Sequence, residues 1–474
     1  MEQIIQLVIF FGLTATVGLI TYLKCRNIKR DTSDSKDYFL AGGGLSWVVV
    51  AGSLMMTNIS AEQIVGMNGA QALLVAWWEI SAAIGLIILA KWLIPIYYKY
   101  NCTTTTELLE RKYNDKGIRA MVSVLFMLGY AFILLPVVLY TGSLFMKSMF
   151  GLQISVTMLA IIFAVVGAVY AIFGGLRAIA ISDTLNGIGL IAMGIVVSYL
   201  AMNAINWDLS GIPIERITLI GDDKSDIPWH TLLTGMIFIQ IFYWGTNMVI
   251  TQRALAAKSV EEAQKGLYAA VVMKLIVPFI VVLPGIVAFK LYGDVGDVAY
   301  GRLVGDLLPS WLSGAFAAVI AGAVLSSFNS CLNSAAALYT CDIHQNYINP
   351  NADVRKIGTR VALVFTLISV ALVPVFAQSE SIISLLQQLN GLYSMPVLAA
   401  FICALVFKNV HAKAIKIGLV FGVLIYAVFT FVWSPFHFIH MMAITLFATI
   451  LVTLLLSKFV FGGQIVTPVA ATES

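Results

Sequence analysis

The sequence predicts an all-α integral membrane protein with about thirteen spanning helices. Composition carries the first half of that expectation. Of 474 residues, 60% are apolar and 11% charged, against about 25% charged in an ordinary soluble protein. So few charges do not cover a water-facing surface of this size. The second half comes from patterning: the apolar residues run in long blocks instead of alternating, which excludes a β-barrel. A soluble enzyme, a disordered hub and a nucleic-acid binder are excluded with it. The net charge of +4 is too small and scattered to imply an anionic partner.

Blocks long enough to cross a hydrocarbon core fall at 3–23, 44–71, 73–98, 118–149, 154–173, 176–206, 229–250, 266–292, 308–341, 358–378, 381–407, 412–433 and 437–459. The first has no basic run before it and no small-residue cleavage site after it, so it reads as a retained helix and not a signal peptide. The five cysteines show neither a disulfide pattern nor metal-ligand spacing and read as inert membrane thiols.

Orientation follows from Lys and Arg. Every second loop is basic: Lys24, Arg26, Lys29, Arg30 and Lys36; Lys99, Arg111, Lys112, Lys116 and Arg119; Arg177; Arg253, Lys258 and Lys265; Arg355, Lys356 and Arg360; Lys408, Lys413 and Lys416; Lys458. The alternate loops hold Lys147, Arg216, Lys224, Lys290 and Arg302, diluted by Asp208, Asp222, Asp223, Asp226 and Asp306. The expectation is a multi-pass protein of the plasma (inner) membrane, amino terminus outside and carboxyl terminus cytoplasmic. No long soluble tail is expected, so neither is a fused kinase.

Two blocks are interrupted by polar residues: the second at Thr57–Gln63, the seventh at Gln240 and Tyr243–Asn247. Polar runs at mid-depth are costly against lipid and tolerated where they line a cavity. Two such breaks five spans apart are the mark of an inverted-repeat transporter. The expected organisation is one transmembrane transporter domain over 1–474. It comprises an extra amino-terminal helix and loop (1–37), a first repeat (38–206), a second repeat (229–407) and carboxyl-terminal helices (408–474). The bland alternative is that these polar side chains only hydrogen-bond between helices.

Asn58, Ser60, Glu62 and Gln63 need partners. Glu79 beside Trp77 and Trp78, Lys274 well inside the eighth block, and Gln387 and Gln388 are the candidates. One carboxylate, one ammonium, several carboxamides and flanking rings suit a neutral polyhydroxylated ligand. Glu79 and Lys274 can instead simply pair with each other, Trp78 can belong to an interfacial belt, and Lys274 can snorkel, although it lies about 12 Å in by helical rise. In the ninth block, Ser326, Ser327 and the carbonyl of Ala323, with carbonyls freed near Ile59, can form an oxygen cage for Na⁺. The small residues around them read equally as close helix packing. Asp183 can guide an ion toward the cytoplasm or cap a helix end.

At these residues the chain resembles the sodium:solute symporter family, and most of all bacterial sodium/galactose symporters. The resemblance is carried by DYFLAGGGLSW (37–47), NISAEQIVGMNG (58–69), FGGLRAIAISD (173–183), YWGTNMVITQRALAAKSVEEAQKG (243–266), KLIVPFIVVLPGI (274–286) and SSFNSCLNSAAALYTCDI (326–343). It implies a LeuT-type five-plus-five inverted repeat with flanking helices. It further implies that Gln63, Glu79, Lys274 and Gln387 contact a sugar, with Gln240 standing where relatives carry Asn. Tyr243, hydrogen-bonded to Asn58, closes the inner side; Met67 and Trp78 close the outer side. The family's sodium site maps to the carbonyls of Met56, Ile59 and Ala323 and the hydroxyls of Ser326 and Ser327. The chain departs from the pattern at Trp78 (for Tyr), Ile383 (for an outer-gate Phe) and Ala82 (for Ser, with Ser81 one place earlier), and these departures bear on which sugar is carried.

The expected function is Na⁺-coupled import of a sugar or sugar-like polyol of the galactose/glucose class by alternating access, with Na⁺ as the co-transported ion. The expected partners are the solute, Na⁺ and the bilayer, without nucleic acid. Two rivals keep their place: the same fold carrying an amino acid, sialic acid or other carboxylate, and an ion channel or transporter-like sensor. No phosphate-cradling Gly pattern appears, which speaks against primary pumping.

Overall fold

The computed structural model describes residues 2–25, 35–379 and 381–463, apart from the side chains of 2, 3 and 171–175. Arg26, Lys29 and Arg30 of the first basic loop lie outside the described residues.

Fifteen helices carry the fold: α1 (Glu2–Cys25), α2 (Trp47–Asn58), α3 (Ala61–Gly69), α4 (Leu73–Lys99), α5 (Lys116–Phe150), α6 (Val156–Ala204), α7 (Gly235–Gly245), α8 (Met248–Leu255), α9 (Val260–Ile276), α10 (Pro278–Tyr292), α11 (Ser310–Ile348), α12 (Val354–Phe376), α13 (Ile382–Val406), α14 (Ala412–Phe431) and α15 (Phe438–Val460). Among the described residues, nine helices are long and apolar enough to cross a membrane, or eleven if each of two bent pairs is one span. Two shorter apolar helices, Val156–Tyr170 and Gly235–Gly245, fall in the fifth and seventh blocks.

Both expected breaks are present. Ile59 and Ser60 leave the helical region between α2 and α3, whose axes differ by 49°. Thr246 and Asn247 separate α7 from α8, and the Asn247 side chain accepts from the Val249 amide to start the new helix. A third bend, 43° between α9 and α10, was not expected. Pro278 has no amide hydrogen to return to the carbonyl four residues back, which is that of Lys274. The proline was the available signal.

The fifth and sixth blocks run on as one helical element, α6, yet its two parts are not collinear. Tyr170 donates to Ser182 Oγ at 2.8 Å, while twelve residues of straight helix would separate their Cα atoms by about 18 Å. The face holding Asp208, Asp222 and Asp306 is the acidic face, and the face holding Lys99 and Lys408 the basic face.

A candidate solute pocket and cation site

The broken helices place the polar groups. Asn58 is the last residue of α2, and its Nδ2 donates to Tyr243 Oη of α7 at 3.2 Å. Its Oδ1 accepts from Lys274 Nζ, which also donates to Glu79 Oε2. Lys274 is fully buried and Glu79 is 2% exposed. The ammonium lies 5.1 Å from the centroid of the Trp244 ring, a cation–π distance. Glu79 and Lys274 are therefore ion-paired to each other, one of the two readings that the sequence left as alternatives. Lys274 does not snorkel.

Gln240 is fixed by three bonds. Its Nε2 donates to the Trp78 carbonyl and to Ser81 Oγ, both at 2.9 Å, and its Oε1 accepts from Trp244 Nε1 at 3.1 Å. Trp78 is buried, so it is no interfacial belt residue. Sequence reasoning passed over Trp244 and gave Ser81 only as a displaced neighbour of Ala82. Gln63 is buried, and its Oε1 has no hydrogen-bond partner, nor has Glu62 Oε2 one turn from the α2–α3 break.

Gln387 reaches this level from α13. The Gln71 carboxamide, just past α3, bonds Gly293 O and the Val295 amide, both at 3.0 Å. The Ile382 amide donates to Asp297 Oδ2 at 3.1 Å. The end of α3 and the start of α13 thus meet one loop, 293–297, and the two helices run antiparallel. A β-carbon on Gly66 would lie 3.0 Å from Ile383 Cβ, so glycine eases this close approach. Gln63 and Gln387 lie three and four residues below that contact, about 4.5 and 6 Å by helical rise. Met67 and Ile383 are buried above them. Asp297 lies outside the spans, where burial pushes its carboxyl up to about 6.

The proposed cation ligands lie at the other side of the α2–α3 break. Ser60 is extended (φ −99°, ψ −177°), so its amide does not return to Met56 O. The carbonyls of Met56 and Ile59 stand outside the helical ladder. On α11, Ser326 and Ser327 are buried and neither hydroxyl makes a hydrogen bond. A buried hydroxyl without a partner costs about 1–3 kcal/mol, which a bound ligand would offset. Asp183 approaches Ser326 from mid-α6; its Oδ2 accepts from Ser53 at 2.8 Å and its Oδ1 is unpartnered. It caps no helix end. Hard oxygens with spare lone pairs suit a small cation.

One basic-loop residue is misplaced by sequence reasoning. Arg253 is fully buried on α8, donating to the Val249 carbonyl at 2.6 Å and to Ser330 Oγ on α11. Thr57 Oγ1 lies 3.4 Å from the same serine. Lys/Arg counting cannot see that a loop-flanking arginine turns inward.

A bundle of membrane-spanning helices broken at α2–α3 and at α7–α8 is the architecture of a LeuT-type transporter fold. The fold agrees with that of a Na⁺-coupled sialic acid symporter in its substrate-bound outward-open state: TM-score 0.81 at 18% identity, covering 96% of this chain and 98% of the other. Mhp1, a nucleobase-cation-symport-1 family transporter in a closed conformation, matches at TM-score 0.52 and 15% identity, over 87% and 92% of the two chains. The sodium:solute symporter family pattern matches residues 38–422, and the chain belongs to that family. Similar relatives include the uncharacterized symporter YidK of Escherichia coli (strain K12), 36% identical over 95% of this chain and 83% of that protein. The sodium/glucose cotransporter of Vibrio parahaemolyticus is 32% identical over 95% and 89%. Sodium/myo-inositol cotransporter 2 of Mus musculus is 30% identical over 89% and 69%. The chain is a multi-pass sodium-coupled transporter and not an enzyme, and Na⁺ is its co-transported ion.

Proposed function

We propose that the protein imports a neutral polyhydroxylated solute, a sugar or cyclic polyol, together with Na⁺, by alternating access across the plasma membrane. The observation that carries this is the Lys274–Glu79 pair. Each charge is neutralised by the other inside the bilayer, so an added carboxylate would bring an uncompensated charge into a buried site. A hydroxylated solute brings donors for Gln63 Oε1 and for Glu79, and a ring face for the indoles of Trp78 and Trp244. The names of the glucose and inositol relatives support the same class. Gln63, Glu79, Lys274 and Gln387 contact the solute; Gln240, with its bonds taken, holds Trp244 and Ser81 in place. Met67, Trp78 and Ile383 close the pocket on the acidic face, and Tyr243 with Asn58 on the basic one.

Na⁺ sits among the carbonyls of Met56, Ile59 and Ala323 and the hydroxyls of Ser326 and Ser327, and leaves past Asp183. The repeats run over 38–206 and 229–407, with the amino terminus outside and the carboxyl terminus in the cytoplasm. Inward movement of one charge gains about 2.3 kcal/mol per 100 mV of membrane potential. The test is Na⁺-driven uptake into proteoliposomes against a panel of unlabelled hexoses, inositols, amino acids and sialic acid. Competition by neutral polyols is expected. Competition by carboxylates alone defeats the proposal, and solute-independent Na⁺ current would favour a channel.

A further inference from the structure

Three of the chain's five histidines gather on the acidic face, away from both sites. His230 lies in the turn Trp229–Leu233 that leads into α7; His437 caps α15 and His440 is in its first turn. His230 Nδ1 and His440 Nε2 are 2.6 Å apart, with ring planes 13° from parallel and centroids separated by 4.7 Å. Rings stacked face to face stand about 3.5 Å apart, farther than these two nitrogens, so the rings meet edge to edge, placed for an N–H···N bond. The chain of contacts continues on both sides. Asp223 Oδ1 lies 3.0 Å from His230 Nε2, and Thr234 Oγ1 lies 2.8 Å from His440 Nδ1.

Proton bookkeeping along this chain is restrictive. With both rings neutral, Thr234 donates to His440 Nδ1, His440 Nε2 donates to His230 Nδ1, and His230 Nε2 donates to Asp223. One proton can be added without losing a contact. His230 then donates from both nitrogens, and His440 changes tautomer, accepting on Nε2 and donating from Nδ1 to Thr234. The hydroxyl hydrogen of Thr234 turns to the carbonyl of Thr231 at 3.3 Å or of His230 at 3.4 Å. The added charge rests against the Asp223 carboxylate. A second proton has no place, because two N–H groups would then face each other.

The charged surroundings are few. Asp223 and its neighbour Lys224 belong to the loop, as does Asp226, on which Arg216 acts. Burial, with a smaller contribution from His440, pushes His437 down to about 4, so it stays neutral. α7 has no charged residue, nor has the last turn of α14. The first turn of α13 is met by Asp297; Glu380 lies outside the described residues. The dyad also occupies a mechanical position. A β-carbon at Gly235 would fall 1.9 Å from the Ile439 carbonyl oxygen, so α7 starts hard against α15. The same α7 bears Gln240, Tyr243 and Trp244.

We propose that the His230–His440 dyad is a proton-binding site that tethers the start of α7 to α15, and that taking up one proton tightens the tether and slows the transport cycle. The inference goes beyond the solute reading; only its sidedness rests on the proposed orientation. Two measurements test it on the full chain. In nanodiscs, ¹⁵N-histidine spectra should show His230 and His440 titrating as a coupled pair, in steps more than about one pH unit apart. His437→Gln should leave those steps in place. In proteoliposomes, Na⁺-driven uptake should fall about threefold between about pH 8 and pH 6, with pH varied on one side at a time. His230→Gln and His440→Gln should each flatten that fall, and His437→Gln should keep it. Independent, free-histidine-like titration of the two rings overturns the proposal, and so does a pH response on both sides that neither variant changes.

Discussion

Lys274, Glu79 and Gln240 already have partners, whereas the hydroxyls of Ser326 and Ser327 and one oxygen of Asp183 have none. Lys274, Glu79, Asn58, Tyr243, Gln240 and Trp244 form one connected network. On α11 and at the α2–α3 break, two hydroxyls, one Asp183 oxygen and two carbonyls stand open. Under the proposed function the two centres share α2 and its broken end and ask opposite things of their ligands. A cation completes its centre and relieves an existing desolvation cost. A solute must share partners that are already engaged, with Gln63 offering the open acceptor. This asymmetry suits an order in which Na⁺ sets the α2–α3 break and the solute then joins a shaped pocket.

The sharpest way to break the comparison is to disconnect the saturated network. Lys274→Met leaves Glu79 buried and unpaired, and should destabilise the protein by about 3–5 kcal/mol as well as abolish uptake. Lys274→Met combined with Glu79→Gln should recover thermal stability without recovering uptake. Recovery of neither would mean that the pair is held by something other than its own charge balance. Next in size is the open centre. Ser327→Ala should raise the Na⁺ concentration for half-maximal uptake by about tenfold or more, with little loss of melting temperature because no hydrogen bond is lost. An unchanged Na⁺ dependence would move the ion elsewhere.

The smallest expected effect lies at Asp297, which joins loop 293–297 to the first turn of α13. Its folded pKa is raised above the ordinary carboxylate value, to about 6. The protonated form is therefore favoured by folding, and the stability tied to it is complete below the unfolded pKa and lost as pH rises through about 6. Asp297→Asn keeps an acceptor for the Ile382 amide and removes that titration. Its melting temperature should change less between about pH 5 and pH 7 than that of the wild type. Equal slopes would show that the carboxyl is not felt by the fold.

Much of this was legible in the chain. Membrane class, the spans and the two breaks followed from the length of apolar runs and the cost of polar groups in lipid, because those penalties act on each segment by itself. Asn58, Gln63, Glu79, Lys274, Ser326 and Ser327 stood out for the same reason: each is polar inside an otherwise apolar block. Other features were beyond such reading. The three hydrogen bonds of Gln240 cannot be read from the chain, and Arg253 counts as a loop residue until its burial is seen. The bend at Pro278 was marked by the proline and passed over inside an otherwise continuous apolar block.

Local composition determined what must be buried and where helices cannot continue, since these depend on a residue and the few beside it. Only the tertiary structure decided which buried groups satisfy one another. Glu79 meets Lys274 from 195 positions away, and His230 meets His440 from 210. Hydrogen bonds and ion pairs act over a few ångströms in space, and nothing in the order of the residues records that distance until the helices pack.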